Sequence, residues 1–226
     1  MHLWAALFDW DGVIIDSSRH HEESWERLAT EEHRPLPVGH FQRGFGMKNE
    51  RIIPELIRWT TDSAEIRRLS LRKEALYREI IRERGIAALP GVQPWLAALH
   101  LAGIPCVIGS STHRENITTT LGVLGFEPYF RAIVAAEDVH HGKPDPEVFL
   151  LAAGQAQTPP ARCVVFEDAH VGLEAARRAG MKVVGVATTH PAAALTGADR
   201  IVHRLDELTV PALTEWFLTA PPPARK

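Results

Sequence analysis

The sequence predicts an α/β fold: a mostly parallel sheet with helices on both faces, plus an inserted all-helical unit. Three observations predict it. From Leu89 onward, helical segments alternate with apolar runs of strand length, the pattern of a parallel sheet covered on both sides. Residues 17 to 89 carry mostly helical signals. The run Leu3 to Phe8 has the length and composition of a buried strand, so it is assigned to the same sheet as its first strand.

The elements follow in order. After the first strand, helices are expected over Ser18 to Thr30, Lys48 to Thr60 and Asp62 to Arg84. The last opens with Asp-Ser-Ala-Glu and keeps helical apolar spacing through Ile66, Leu69, Leu76, Ile80 and Ile81. Pro35, Pro37, Gly39, Gly44 and Gly46 punctuate the gap between the first two. Beyond Leu89-Pro90-Gly91, helix Val92 to Ala102 leads to strand Ile104 to Ile108, and helix Arg114 to Leu121 to strand Ala132 to Ala135. Helix Pro146 to Ala153 leads to strand Cys163 to Phe166, and helix Val171 to Ala179 to strand Lys182 to Val186. A short strand, Ile201-Val202, precedes a helix starting near Val210. This divides the chain into a discontinuous core, 1–16 and 88–218, a helical cap, 17–87, and a flexible tail, 219–226.

Composition narrows the function. The 226 residues carry a net charge of -3 with no long basic block, which argues against a nucleic-acid partner. The apolar runs are too short to span a membrane, and the start lacks the pattern of a signal peptide, so a cytoplasmic protein is expected. Cys106 and Cys163 lie in apolar runs outside any C-x-x-C pattern and read as buried free thiols.

In such a sheet the ligand site lies beyond the carboxyl ends of the strands. The polar residues there are Asp9 and Asp11, Gly109-Ser110-Ser111-Thr112, Glu137-Asp138, and Glu167-Asp168. If the first strand runs through Asp11, then Asp9 and Asp11 share one face. Gly12 permits a turn directly after them. Asp-x-Asp-Gly is also a common way to turn a chain and cap a helix. Several acids at one sheet edge repel, however, unless a cation lies between them, and the oxygen donors suit Mg2+. Ser110 and Thr112 supply hydroxyls, the Gly109 to Ser111 backbone supplies amides, and Lys143, in His140-His-Gly-Lys-Pro-Asp-Pro146, supplies an ammonium. Together these suit the charge of a phosphoryl group in transfer. One of Asp9 and Asp11 would attack phosphorus while the other handles the proton.

Asp9-Trp-Asp-Gly-Val-Ile-Ile-Asp-Ser17, Ser110, Lys143 with Pro144-Asp-Pro146, and Val165-Phe-Glu-Asp-Ala-His-Val-Gly-Leu-Glu-Ala-Ala176 stand in order. They resemble the four motifs of the haloacid dehalogenase superfamily, in its beta-phosphoglucomutase-like branch with a helical cap. The resemblance implies a Rossmann-like core, Mg2+ as cofactor and a small phosphorylated metabolite as substrate, in a monomer or weak homodimer. It implies Asp9 as nucleophile and Asp11 as acid and base. Mg2+ would be held by Asp9, the Asp11 carbonyl, Asp168 and Glu167, and the phosphoryl oxygens by Ser110 and Lys143. Trp10 and Ala169 depart from common family residues without removing a catalytic group.

The same resemblance marks His21, Lys48, Asn49 and Lys73 as cap contacts to substrate. Asn49 stands where the mutase that names the branch has an Arg for a distal phosphate. Where that mutase has a run containing an Asn phosphate contact this chain has Ser110-Ser-Thr-His-Arg114, so the resemblance implies Arg114 as the phosphate contact in its place. The missing Arg favours a phosphatase acting on a sugar or polyol phosphate over a phosphomutase. A non-catalytic phosphate-binding module would keep the fold but lose an acid or Lys143, and none is lost.

Overall fold

The computed structural model describes residues 3–44 and 47–219. Six strands, β1 (Ala5–Phe8), β2 (Cys106–Gly109), β3 (Ala132–Val134), β4 (Cys163–Glu167), β5 (Lys182–Val186) and β6 (Arg200–Val202), form one sheet in the order β3-β2-β1-β4-β5-β6. Every neighbouring pair is parallel, as expected of strands returned by helical crossovers. β1 lies between β2 and β4, with Phe8 in register with Ile108 and Phe166. The strand order therefore reverses about β1. That is the switch point at which such sheets open a crevice beyond their carboxyl ends.

The helices are α1 (Ser18–Glu31), α2 (His40–Gly44), α3 (Asn49–Arg51), α4 (Ser63–Arg84), α5 (Val92–Leu101), α6 (Arg114–Leu124), α7 (Glu147–Gln155), α8 (His170–Arg178) and α9 (Val210–Thr219). All four residues of β1 are buried, because both faces of the sheet are covered. On one face Leu7, Val107, Val165 and Val183 pack with Phe149 of α7 and Leu173 of α8. On the other, Phe8 stacks on Phe166 with ring centroids 4.6 Å apart, and Trp95 of α5 meets Phe166 edge-on. Both cysteines are buried and unpaired, and burial pushes each thiol up to about 12.

By its contacts the chain forms two compact units. One takes in the chain up to Asp16 and again from Ala87, and the other is Ser17–Ile86. The second unit has its own core of Trp25, Leu28, Ile52, Ile53, Ile57, Leu69 and Leu76. Ion pairs Glu23–Arg84, Arg27–Glu83 and Glu31–Arg72 join α1 to α4, and Glu32, just past the end of α1, pairs with Arg68. Partner numbers fall along α4 as they rise along α1, so the two helices run antiparallel. Each exposed pair contributes little; burial of the apolar stripe dominates.

Two expectations need correction here. The expected helix over Lys48 to Thr60 is instead the short α3 followed by a π-helical turn, Ile52–Leu56. Pro54 has no N–H to give and crowds the preceding turn, and the Ile57 amide reaches back five residues to the Ile52 carbonyl at 2.9 Å. The first strand ends at Phe8, short of Asp11. Of the expected tail, 219–226, Thr219 closes α9 and the rest lies outside the described residues. Among the described residues no helix is long and apolar enough to cross a membrane.

Asp62 caps α4 by accepting a hydrogen bond from the Glu65 amide at 2.8 Å. Asp62→Ala should therefore lower the stability of the helical unit by about 1 kcal/mol, read from urea denaturation. An unchanged midpoint would refute the capping role.

Candidate active site

The first turn starts where β1 stops. The Asp9 amide still donates to the Phe166 carbonyl at 3.0 Å, and the chain then folds back, with Ile14 N bonded to the Trp10 carbonyl at 2.9 Å and Gly12 N to the Ile15 carbonyl at 2.8 Å. Gly12 has φ +80, and a Cβ there would lie 2.0 Å from Oδ2 of Asp168. Glycine is required both by the turn and by the carboxylate beside it. Because the strand ends early, Asp9 and Asp11 do not rest on a common strand face. Oδ1 of Asp9 accepts from Lys143 Nζ at 2.8 Å, whereas Oδ2 of Asp11 accepts from the Thr112 hydroxyl at 2.6 Å.

Lys143 is the hub of the charged cluster. Its ammonium lies 2.8 Å from Asp9 and 2.7 Å from Glu167, with side chains only 7% and 2% exposed at Lys143 and Glu167. It also sits 4.8 Å from the centre of the Phe149 ring. A Cβ at Gly109 would come within 3.1 Å of that ring, so the small residue ending β2 makes room for the platform under the ammonium. Burial pulls Lys143 down, but the charges of Asp9 and Glu167 outweigh it and hold the ammonium above its ordinary range. Burial pushes Glu167 up, opposed by Lys143 and assisted by Asp9. Asp168 is pushed up to about 8 by burial, with the charges of Asp9 and Glu167 acting in the same direction.

Asp9, Glu167 and Asp168 each offer an oxygen such that the three lie within 4.8 Å of one another. Three hard oxygen donors and one ammonium leave an excess of negative charge that a small divalent cation would balance. The missing Cβ of Gly12 keeps space at Asp168. These residues fit Mg2+. Gly172 plays the same part at Glu167: a Cβ there would fall 1.7 Å from Oε1.

Ser110 is buried at the end of β2. Its hydroxyl oxygen accepts from the Thr112 amide at 3.2 Å, and its own amide donates to the Val134 carbonyl at 3.0 Å. The expected row of amides facing an anion is thus reduced: Ser110 N belongs to the sheet and Thr112 N to Ser110, leaving Ser111, an exposed residue, as the candidate amide. Arg114 is also not brought to the cluster. Its guanidinium donates to Asp138 and to the Ile133 carbonyl. Glu137 accepts from His113 and from the Arg114 amide, so the acids after β3 hold the start of α6 and do not join Asp9. The cause is local: α6 begins at Arg114, next to the β3 edge.

Sequence reading missed the loop after β5. The Thr188 hydroxyl donates to the Gly12 carbonyl, and the Thr189 hydroxyl donates to Oδ2 of Asp168 at 2.5 Å. The strand-end rule that found the other clusters applies equally to β5, and Thr188 and Thr189 follow it within three residues.

Within the helical unit, His21 of α1 and Lys73 of α4 lie 2.6 Å apart, and His21 stacks on Tyr77 at 4.1 Å. Lys73 is buried and pairs with Glu74 at 3.0 Å. The Asn49 amide donates to Glu74 at 2.7 Å and to the Ser70 hydroxyl at 3.2 Å. Lys48 is exposed at the start of α3, and Gly46 lies outside the described residues. Three of the four expected cap contacts thus form one network.

The strand order reverses about β1, and acids and a buried lysine lie beyond the carboxyl edge of the sheet there. Residues 5–180 match the model of the haloacid dehalogenase-like hydrolases. The chain belongs to that family. It is 39% identical over 208 residues to the chloroplastic 5-amino-6-(5-phospho-D-ribitylamino)uracil phosphatase of Arabidopsis thaliana, matching 91% of this chain and spanning only 55% of the plant protein. It is 32% identical over 219 residues to beta-phosphoglucomutase of Bacillus subtilis, covering 93% and 94% of the two chains. The crystal structure of beta-phosphoglucomutase from Clostridium difficile superposes with a TM-score of 0.79 at 26% identity, covering 96% of this chain and 98% of that one.

Two outcomes follow from the buried acids. Asp168 keeps its proton in the folded metal-free protein until about pH 8, whereas in the unfolded chain it loses it near about pH 4. Its contribution to stability is therefore full below the unfolded value and is lost as pH rises toward 8. The melting temperature of metal-free protein should fall over that range, and Asp168→Asn should flatten the slope; an equal slope in the variant would count against Asp168. Gly172→Ala gains about 1 kcal/mol of helix propensity but forces Glu167 aside, so a net loss of about 1–3 kcal/mol is expected in chemical denaturation. A stabilised variant would refute the close approach.

Proposed function

We propose that the chain is a Mg2+-dependent phosphatase that hydrolyses a small phosphate monoester of a sugar or polyol through an aspartyl phosphate on Asp9. The observation that carries this reading is the Lys143 ammonium, bonded to Asp9 and Glu167 beside Asp168. It holds an oxygen of Asp9 at the switch point of the sheet, where a phosphoryl group would also find a buried cation.

In the first step an Asp9 oxygen bonds to phosphorus as the bond from phosphorus to the ester oxygen breaks. Asp11 gives its proton to that oxygen, and the alcohol leaves. In the second step the Asp11 carboxylate takes a proton from water, the water oxygen bonds to phosphorus, and the bond to Asp9 breaks, releasing phosphate. Thr112 holds Asp11 through Oδ2. Lys143 and Ser110 hold the phosphoryl oxygens, with Ser111 and Thr112 beside them. Asp9, Asp168, the Asp11 carbonyl and Glu167 would hold Mg2+, which would supply positive charge to the transferring group. His21, Lys48, Asn49 and Lys73 are assigned to the rest of the substrate.

A phosphomutase is the second reading, favoured by the Bacillus relative. Asn49 argues against it, since its amide is engaged by Glu74 at the position where the resemblance places an Arg for a second phosphate. The plant relative is named for a phosphorylated ribityl compound, and that compound heads the substrate panel.

The test is phosphate release from that compound and from a set of sugar and polyol phosphates with Mg2+, beside beta-glucose 1-phosphate with a sugar bisphosphate primer. Release without isomerisation is expected; isomerisation with little release would establish the mutase instead. Asp9→Asn should lower turnover by about 10^3-fold or more while substrate still binds. Turnover near wild type would exclude covalent catalysis at Asp9.

A further inference from the structure

We infer that Thr189, in the loop after β5, is a positioning residue that fixes the carboxyl of Asp168 for metal binding. The inference rests on the Mg2+ reading above and adds a residue to it. Asp168 follows the last residue of β4, where a carboxyl can rotate about two side-chain bonds. A hydrogen bond to Oδ2 limits that freedom, and the missing Cβ of Gly12 gives the oxygen its place. Gly12 lies so close that even a Cβ would meet this oxygen at 2.0 Å. From the other element the Thr189 hydroxyl donates to it at 2.5 Å.

The threonine is itself held. Its hydroxyl oxygen lies 3.3 Å from the Asp168 carbonyl and 2.9 Å from Nδ1 of His190, which lies 3.1 Å from that same carbonyl. Its neighbour Thr188 ties to the Gly12 carbonyl. Loop 188–190 therefore grips both the turn after β1 and the residue after β4, the two segments that carry Asp9 and Asp168. A hydrogen bond to a carboxylate that holds a metal orients it, and loss of such a partner typically weakens metal binding by about 10- to 100-fold. The Thr189 hydroxyl bonds to Asp168 and His190, so its effect on the cluster passes through Asp168.

The test is calorimetric titration of the full chain with MgCl2 alone, without substrate, for wild type, Thr189→Val, Thr189→Ala and Thr189→Ser. Melting temperatures of the metal-free proteins are measured alongside. Wild type should bind Mg2+. Valine and alanine should each weaken binding by about tenfold or more, with metal-free melting temperatures close to wild type. Serine, which keeps the hydroxyl, should restore binding to within a fewfold. Equal Mg2+ affinity in Thr189→Val and wild type would overturn the inference and leave the phosphatase reading intact. Serine as weak as valine would overturn it too, because the hydroxyl would then not be the acting group. A wild-type chain that binds no Mg2+ would overturn the metal reading itself, and this inference with it.

Discussion

Three carboxyl groups and one ammonium share the carboxyl edge of the sheet, and the position of that ammonium governs the rest. Without Lys143, Asp9, Glu167 and Asp168 would repel one another in a region largely shielded from water, where unit charges a few ångströms apart interact far more strongly than in bulk solvent. With it, Asp9 and Glu167 each gain a bond shorter than 3 Å. The compensation is incomplete, since Asp168 is still held near its protonated form up to about pH 8. A buried pair of this kind is weak evidence for stability. It is better understood as a site that keeps a deficit of positive charge for what it binds.

The topology explains why these groups meet. β1 is flanked by β2 and β4, so the residues following three strands that are far apart in sequence lie side by side. The register places Phe8 beside both Ile108 and Phe166; one step further along lie Asp9, Gly109 and Glu167. Glycine is then needed wherever a carboxylate or a ring must approach the backbone. Gly12 admits Asp168, Gly172 admits Glu167, and Gly109 admits Phe149. The glycines and the acids form one design, in which small residues make the space that the charged ones fill.

Much of this was legible in the sequence because it depends on features a sequence carries openly. Alternation of helix and apolar strand gives the parallel sheet, and acids at strand ends give Asp9, Asp11, Glu167 and Asp168. Other features depend on which neighbour a side chain finds. Arg114 was expected at a phosphate, but Asp138 lies next to the first turn of α6 and takes its guanidinium. The Ser110 amide was expected to face a ligand, yet β3 supplies the Val134 carbonyl for it. Thr188 and Thr189 follow β5 as the acids follow their strands, but carrying no charge they stand out less, and their partners emerge only with β5 beside β4. The π-helical turn at Ile52–Leu56 was missed for a different reason: Pro54 signals a break, but the form of the break follows from how the flanking isoleucines reach the core of the helical unit.

The helical unit handles charge in the opposite way from the core. Its buried Lys73 is matched at once by Glu74, and the Asn49 amide leans on the same carboxylate. A phosphate arriving at Lys73 would have to compete with Glu74, and a dianion would meet a carboxylate rather than an open cation. Glu74 instead accepts hydrogen bonds, which suits hydroxyl or amide N–H donors. The core cluster has more negative charge than Lys143 can balance, an excess that a divalent cation would offset.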